Sequence, residues 1–182
     1  MIHCSHCGAA LPHAPPVTCA ACGTGHWRNP KPCAAVLVTR ESGELLLVRR
    51  AHEPWQGRWC APSGFCEHGE HPLEAAVREA FEETGLCVEL TGHLGTWMSS
   101  YAEDDVVRDD AEVSIAVTYY HARLLAEAPF AFDAAEVAEA RWFDPDELPA
   151  ELAPPHALPA ILAAWRAAVL AGETVSALRD RP

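Results

Sequence analysis

WCAPSGFCEHGEHPLEAAVREAFEETGL, the stretch from Trp59 to Leu86, decides how the rest of the chain is read. Its second half has the pattern of a helix. Pro72 suits a first helical turn and Gly85 the position just past the last one. Leu73, Ala76, Val77, Ala80 and Thr84 recur between them at helical spacing as an apolar stripe. At about 100° per residue, Glu79, Glu82 and Glu83 cover an arc of about 100° on a different face and converge on common space. Glu79 and Glu83 form an i,i+4 like-charge pair, which costs a helix roughly a few tenths of a kcal/mol unless a cation sits nearby. Local rules are broken in this way at functional sites. Arg78, four residues before Glu82, can pair with it and fix its orientation. Taken alone, however, such a run is better explained as a solvated acidic face.

Working outward, Cys33 to Val38 and Leu45 to Val48 are short apolar runs of β type, and Glu41-Ser42-Gly43-Glu44 between them predicts a hairpin through the glycine turn. Ala51 to Gly57 reads as a loop. After the helix, Glu112 to Ala122 reads as a long strand. His156 to Leu170 reads as an amphipathic helix carrying Leu162, Trp165 and Val169.

Upstream, CSHCGAALPHAPPVTCAACG begins at Cys4 and contains two CxxC pairs, Cys4 with Cys7 and Cys19 with Cys22. Eleven residues separate the pairs, and each is followed by a glycine, Gly8 or Gly23. A CxxC turn points two thiolates at one tetrahedral centre, and two such knuckles supply the four ligands of a closed structural zinc site. So short a segment cannot bury enough apolar surface to order itself, and metal ligation worth ~10–16 kcal/mol can do so. Two disulfides, a redox CxxC and an iron–sulfur site are the alternatives. His3, His6, His13 and His26 read as solvent-exposed neighbours, any of which could replace a cysteine. Cys60 and Cys66 lack paired spacing and read as packed small side chains rather than catalytic thiols.

With 182 residues, one main core and a small appendage are expected. Hydrophobic residues at 49% and charged residues at 21% exclude disorder over most of the chain. The net charge of −13 disfavours non-specific nucleic-acid binding, and an acidic site holding divalent cations tolerates it. No apolar run of ~18 residues occurs and Met1-Ile2-His3-Cys4 starts no signal peptide, so a cytoplasmic location without membrane contact is expected.

Gly64, five residues, Glu70, seven residues, then Arg78-Glu79-Ala80-Phe81-Glu82-Glu83-Thr84-Gly85-Leu86 matches every fixed position of a Nudix box, with alanine in the first apolar slot. The chain therefore resembles the Nudix hydrolases from about residue 30 to 150, including Glu139-Ala140-Arg141-Trp142-Phe143 and Glu147-Leu148-Pro149. With the cysteine segment joined through Trp27-Arg28-Asn29-Pro30-Lys31, it is similar to zinc-ribbon Nudix enzymes such as NADH, FAD and ADP-ribose pyrophosphatases. The resemblance implies an α/β class fold, an α/β/α sandwich on a mixed sheet. The expected divisions are a ribbon over 1–29, a Nudix domain over 30–172 and a tail over 173–182.

The resemblance also implies magnesium, or manganese, held by Glu79, Glu82, Glu83 and the Gly64 carbonyl, beside structural zinc on Cys4, Cys7, Cys19 and Cys22. Glu82 is the first candidate for the general base and Glu136 the second, followed by Glu139 and Asp133. Glu70 anchors the loop and Arg78 orients Glu82. Trp97, Tyr101 and Tyr119 could stack on a substrate ring, although each also suits the core. The serine-glutamine-proline-tryptophan signature of NADH pyrophosphatases is missing from Thr91 to Asp110, which leaves NADH in doubt as the dedicated substrate. Ser63 stands where many relatives carry glycine, a change tolerated if no positive φ is needed there.

The implied function is hydrolysis of a diphosphate bond in a nucleoside diphosphate linked to another moiety, with a small-molecule nucleotide as substrate. The alternative is a non-catalytic nucleotide sensor with the ribbon as a docking module, which a box stripped of its glutamates would have favoured. Removal of RNA caps needs a basic channel, and residues 1–26 hold no lysine or arginine. Family precedent allows a homodimer.

Overall fold

The structure, a computed structural model, describes residues 2–101 and 113–170, with side chains through Ala167. Glu112 at the start of the expected long strand, the end of the Thr91–Asp110 stretch, the Val169 side chain and the 173–182 tail lie outside the described residues. Contacts divide the chain into two units, Met1–Pro30 and Lys31–Pro182.

In the first unit β1 (Val17–Thr18) pairs antiparallel with β2 (Gly25–His26). Among its described residues the apolar core is Cys4, Leu11 and Cys19, with Ala9 and Val17 packed against them. That is too little buried surface to offset the entropy of ordering some thirty residues.

The second unit is built on a seven-stranded sheet. Its strands are β3 (Lys31–Thr39), β4 (Leu45–Arg50), β5 (Trp59–Cys60), β6 (Ser63–Phe65), β7 (Val88–Ser100), β8 (Ser114–Leu124) and β9 (Val137–Phe143). The order is β5-β4-β3-β8-β7, with β6 also on β3 and β9 also on β4. Among the described strands β3 and β8 are the one parallel pair, so the sheet is mixed. The expected hairpin is present: Arg40 N–H donates to the Glu44 carbonyl at 3.1 Å across a turn whose Gly43 has φ 90°.

Strand alternation divides the core between the two faces of this sheet. Ala35 and Leu37 of β3 and Leu45 and Leu47 of β4 face one side, where α2 (Ala157–Leu170) contributes Leu158, Ile161, Leu162 and Trp165. Ala34, Val36 and Val38 with Leu46 face the other, covered by Ala75, Ala76 and Ala80 of α1 (Pro72–Thr84). Because Ala34 to Val38 are buried on both faces, β3 reads as an unbroken apolar run. The result is the expected α/β/α sandwich.

The signals that end α1 act as the sequence implies. His71 and Glu74 form a reciprocal cap: His71 Nδ1 accepts from Leu73 N–H at 3.2 Å, and Glu74 accepts from His71 N–H at 3.0 Å. Gly85 closes the helix in the left-handed region at φ 74°. The buried stripe differs from the expected one. Val77 is 38% exposed and Ala75 is buried in its stead, so the helix is turned away from the Val77 side.

Candidate functional site

That rotation decides which carboxylates are buried. At about 100° per residue, the arc from Ala75 to Ala76 and Ala80 contains Glu79 and Glu83, while Glu82 falls just outside it. Glu79 and Glu83 therefore face inward, within the packed arc rather than on a separate face. The Glu79 side chain is 12% exposed and that of Glu82 is 52% exposed. Glu79 and Glu83 thus point inward, while Glu82 stays at the surface beside Arg78.

The preceding loop explains how an inward carboxylate is accommodated. Ser63 N–H donates to Glu83 Oε2 at 3.0 Å. A Cβ added at Gly64 would fall on the Glu79 carboxylate, so the bare glycine is what lets that carboxylate lie where it does, with no positive φ involved. Ser63 has no positive φ either, which is why it replaces glycine without strain.

Arg78 ties helix to loop. Its Nε and Nη2 donate to the two oxygens of Glu70 at 2.8 and 3.0 Å, and Nη2 also donates to the Phe65 carbonyl at 3.1 Å. Nη1 donates to both Glu79 and Glu82 at 2.7 Å. Glu70 in turn accepts from Glu67 N–H at 2.8 Å. The bidentate fork holds Glu70 down to a pKa of about 2. Sequence reasoning had Arg78 orienting Glu82 alone; the guanidinium reaches Glu79 as well.

Burial pushes Glu83 up to about 8, with the Glu79 carboxylate adding to the rise and the Ser63 amide opposing it. Burial also raises Glu79 against the pull of Arg78. Two inward carboxyls that resist ionisation suit a polyvalent cation with a taste for oxygen, which would restore their charged forms.

Glu79 and Glu83 open into a cavity of about 290 Å³, whose wall also holds Gly64, Glu136, Arg50 and His52. Glu82 is not part of that wall. Glu136 stands on an exposed turn, its carbonyl accepting from Ala51 N–H at 3.0 Å. Of the lower-ranked acids, Glu139 pairs with Arg49 at 3.8 Å and Asp133 accepts from Ala135 N–H at 2.8 Å.

Tyr101 lines the cavity and is 43% exposed, and Tyr119 lines it but is buried. Trp97 packs edge-on behind Tyr119 at 5.5 Å against the core and does not line the cavity. Cys33 and Cys60 line it with thiols that burial pushes up to about 12, which leaves them protonated and poor nucleophiles. The sequence reading missed Trp55, Phe65, Arg50 and His52 on this wall. They lie in loops and strand ends with no periodicity to mark them, although the position of Arg50, His52 and Trp55 just before the box, and of Phe65 directly after its first glycine, was a usable signal.

In the first unit the four cysteine sulfurs lie within 4.8 Å of one another, with Cys4 to Cys22 and Cys7 to Cys19 at 3.7 Å. Thiolates ~2.3 Å from a tetrahedral zinc would stand ~3.8 Å apart, so the cluster fits that ion. Each knuckle is wound by two backbone hydrogen bonds: Gly8 N–H to Cys4 O and Cys4 N–H to Ala9 O, then Gly23 N–H to Cys19 O and Cys19 N–H to Thr24 O, all 2.8–2.9 Å. Gly8 and Gly23 share φ 76°. Among the histidines, His26 Nε2 approaches Cys4 Sγ at 3.2 Å.

A mixed-sheet sandwich that sets a glycine loop against a carboxylate-bearing helix is an arrangement shared with a known domain family. Residues 29–162 match the NUDIX domain, and the chain belongs to that family. A "NAD-capped RNA hydrolase NudC" of Vibrio vulnificus is 30% identical over 131 residues, 72% of this chain and 45% of that protein. An "ADP-ribose pyrophosphatase" of Methanocaldococcus jannaschii is 39% identical over 62 residues, 34% of this chain and 37% of that one. The chain thus spans less than half the length of these two relatives. The crystal structure of a NUDIX hydrolase from Nitrosomonas europaea superposes with a TM-score of 0.75 at 26% identity, covering 97% of this chain and 96% of that one. Among the described residues no helix is long and apolar enough to cross a membrane.

Proposed function

We propose that the chain catalyses magnesium-dependent hydrolysis of a diphosphate bond in a nucleoside diphosphate linked to another moiety, of the ADP-ribose, FAD or NADH type, and releases a nucleoside monophosphate. The observation that carries this reading is the pair of inward carboxyls, Glu79 and Glu83, beside a glycine that alone admits one of them, at the floor of a cavity large enough for part of a nucleotide. Names of relatives in the family, a pyrophosphatase and a hydrolase of a nucleotide cap, support the same bond type.

Glu79, Glu83, Glu82 and the Gly64 carbonyl would hold the ion, magnesium or manganese, since all four present hard oxygen donors. Bound there, the ion would supply neutralisation of the diphosphate oxygens and polarisation of the bond to be cleaved. Arg78 keeps Glu79 and Glu82 in place, and Glu70 holds Arg78 to the loop. For the base that accepts the proton of the attacking water we favour Glu136 over Glu82. Glu136 shares the cavity wall with Glu79 and Glu83, whereas Glu82 is committed to Arg78 outside it. Arg50 and His52 are the cationic and imidazole groups on the same wall, available to the substrate's anionic end. The four cysteines of the first unit would hold structural zinc, with no open position for catalysis.

The test is a panel of nucleotide conjugates with magnesium and product identification. Release of AMP from at least one of ADP-ribose, FAD or NADH is expected, and loss of that release in Glu82→Gln and Glu83→Gln without loss of folding. Full activity in both variants would overturn the site.

A further inference from the structure

His26 reaches across the cysteine cluster from one knuckle to the other. It ends β2, where its backbone is registered with Val17 of β1, shortly after Cys22 of the second knuckle. Its ring is half-buried, and its Nε2 lies 3.2 Å from the sulfur of Cys4 in the first knuckle, 22 residues away. The other histidines of the segment do nothing comparable. His3, His6 and His13 are exposed, and His13 Nδ1 donates to the neighbouring Ala14 carbonyl at 2.9 Å.

The two knuckles are otherwise built alike, which makes this contact informative. The Ala9 amide hydrogen-bonds the Cys7 sulfur and the Thr24 amide the Cys22 sulfur. Thr24 Oγ1 also stands 3.2 Å from Cys22 Sγ. Cys7 and Cys22 are exposed, whereas Cys4 and Cys19 are buried at 3% and 1% exposure. Of the two buried sulfurs, Cys4 has the His26 ring against it. Four thiolates on a doubly charged zinc leave a surplus of negative charge, and residues 1–26 hold no lysine or arginine to offset it. Water is kept from a buried thiolate, so a protein donor must take over part of the solvation its charge needs. A thiolate carries no proton, so the contact is a hydrogen bond only with the proton on His26 Nε2. The sulfur thereby selects which ring nitrogen is protonated.

We propose that His26 is a positioning residue for the zinc site, its Nε2–H donating to the Cys4 thiolate, which holds that sulfur to the metal and ties the second knuckle to the first. This rests on the zinc reading above and deepens it, by giving a role to a histidine that the count of four cysteines leaves over.

The test compares the full chain with His26→Phe, which fills the space and cannot donate, and His26→Gln, which keeps an N–H. Zinc affinity is read by competition with a chromophoric chelator. His26→Phe should hold zinc about tenfold more weakly, the lower end of what loss of a partner behind a metal ligand costs, and His26→Gln should recover part of the loss. Cobalt in place of zinc separates donation from packing. The d–d bands should mark four thiolates in all three proteins. The thiolate-to-cobalt charge-transfer band should move to lower energy in His26→Phe and stay near its wild-type position in His26→Gln. Nitrogen NMR of the zinc-loaded wild type should find a proton on Nε2. Equal affinities in wild type and His26→Phe, a His26→Gln no better than His26→Phe, or a bare Nε2 would each overturn the assignment. So would a nitrogen in the wild-type cobalt sphere that both variants lose, since His26 would then be a ligand. A wild type that takes up neither zinc nor cobalt is a different failure, which sinks the zinc reading itself and the proposal with it.

Discussion

Glu83 carries a cost that its neighbours only partly offset. A carboxyl raised above its ordinary value is destabilised in its charged form, so the metal-free protein bears this penalty at neutral pH. Glu83→Gln should therefore raise the melting temperature in chelator while removing the further rise that magnesium gives the wild type; scanning calorimetry with and without the ion checks both. A lower melting temperature in chelator would mean that the charged form is already compensated. Gly64→Ala should abolish metal binding, because the new Cβ and the Glu79 carboxyl would compete for the same space, 2.0 Å apart. Glu70 behaves in the opposite way to Glu83. Its pKa falls from 4.5 to about 2 on folding, so its pairing with Arg78 stabilises the protein above pH 4.5 and the contribution is lost as pH falls toward 2. The melting-temperature difference between wild type and Glu70→Gln should be full at neutral pH and close to nothing near pH 2.

α1 was legible because its ends and its period are local. Pro72 and Gly85 act within one turn of where they stand. Its rotation was not legible, since it depends on a loop from elsewhere in the sheet: the Ser63 amide draws Glu83 inward and the bare Gly64 admits Glu79, and Val77 is left outside. β7 was missed for a related reason. Register shifts between Leu90 and Gly92 and between His93 and Gly95 interrupt its alternation, so no period of two survives in the sequence. Gly85→Ala tests the end of α1. With φ 74° and a Cβ position 2.9 Å from that of Ala131, the change should cost about 1 kcal/mol or more, read from denaturant midpoints with an unchanged slope.

The two units owe their order to different physics. The sandwich buries leucines and valines on both faces of its sheet and Trp165 on one, whereas among the described residues of Met1–Pro30 the buried core is two cysteines and one leucine. One zinc ion per chain is expected by elemental analysis. Removal of that ion should expose residues 1–30 to protease while the strands of the sandwich stay protected. Equal protection of residues 1–30 with and without metal would show that some other interaction orders them.

The cysteine spacing, the box with its glutamates, and the apolar runs that become β3, β4 and α1 could be recognised from the chain alone, because each is a pattern among residues close in sequence. The sorting of three equivalent-looking glutamates into two inward and one outward could not, nor could the placing of Glu136 and Trp55 on one wall with them. Those depend on where segments twenty to eighty residues apart come to rest, and the contacts that settle it, an amide on a carboxylate or a missing Cβ, exist only once the sheet has assembled.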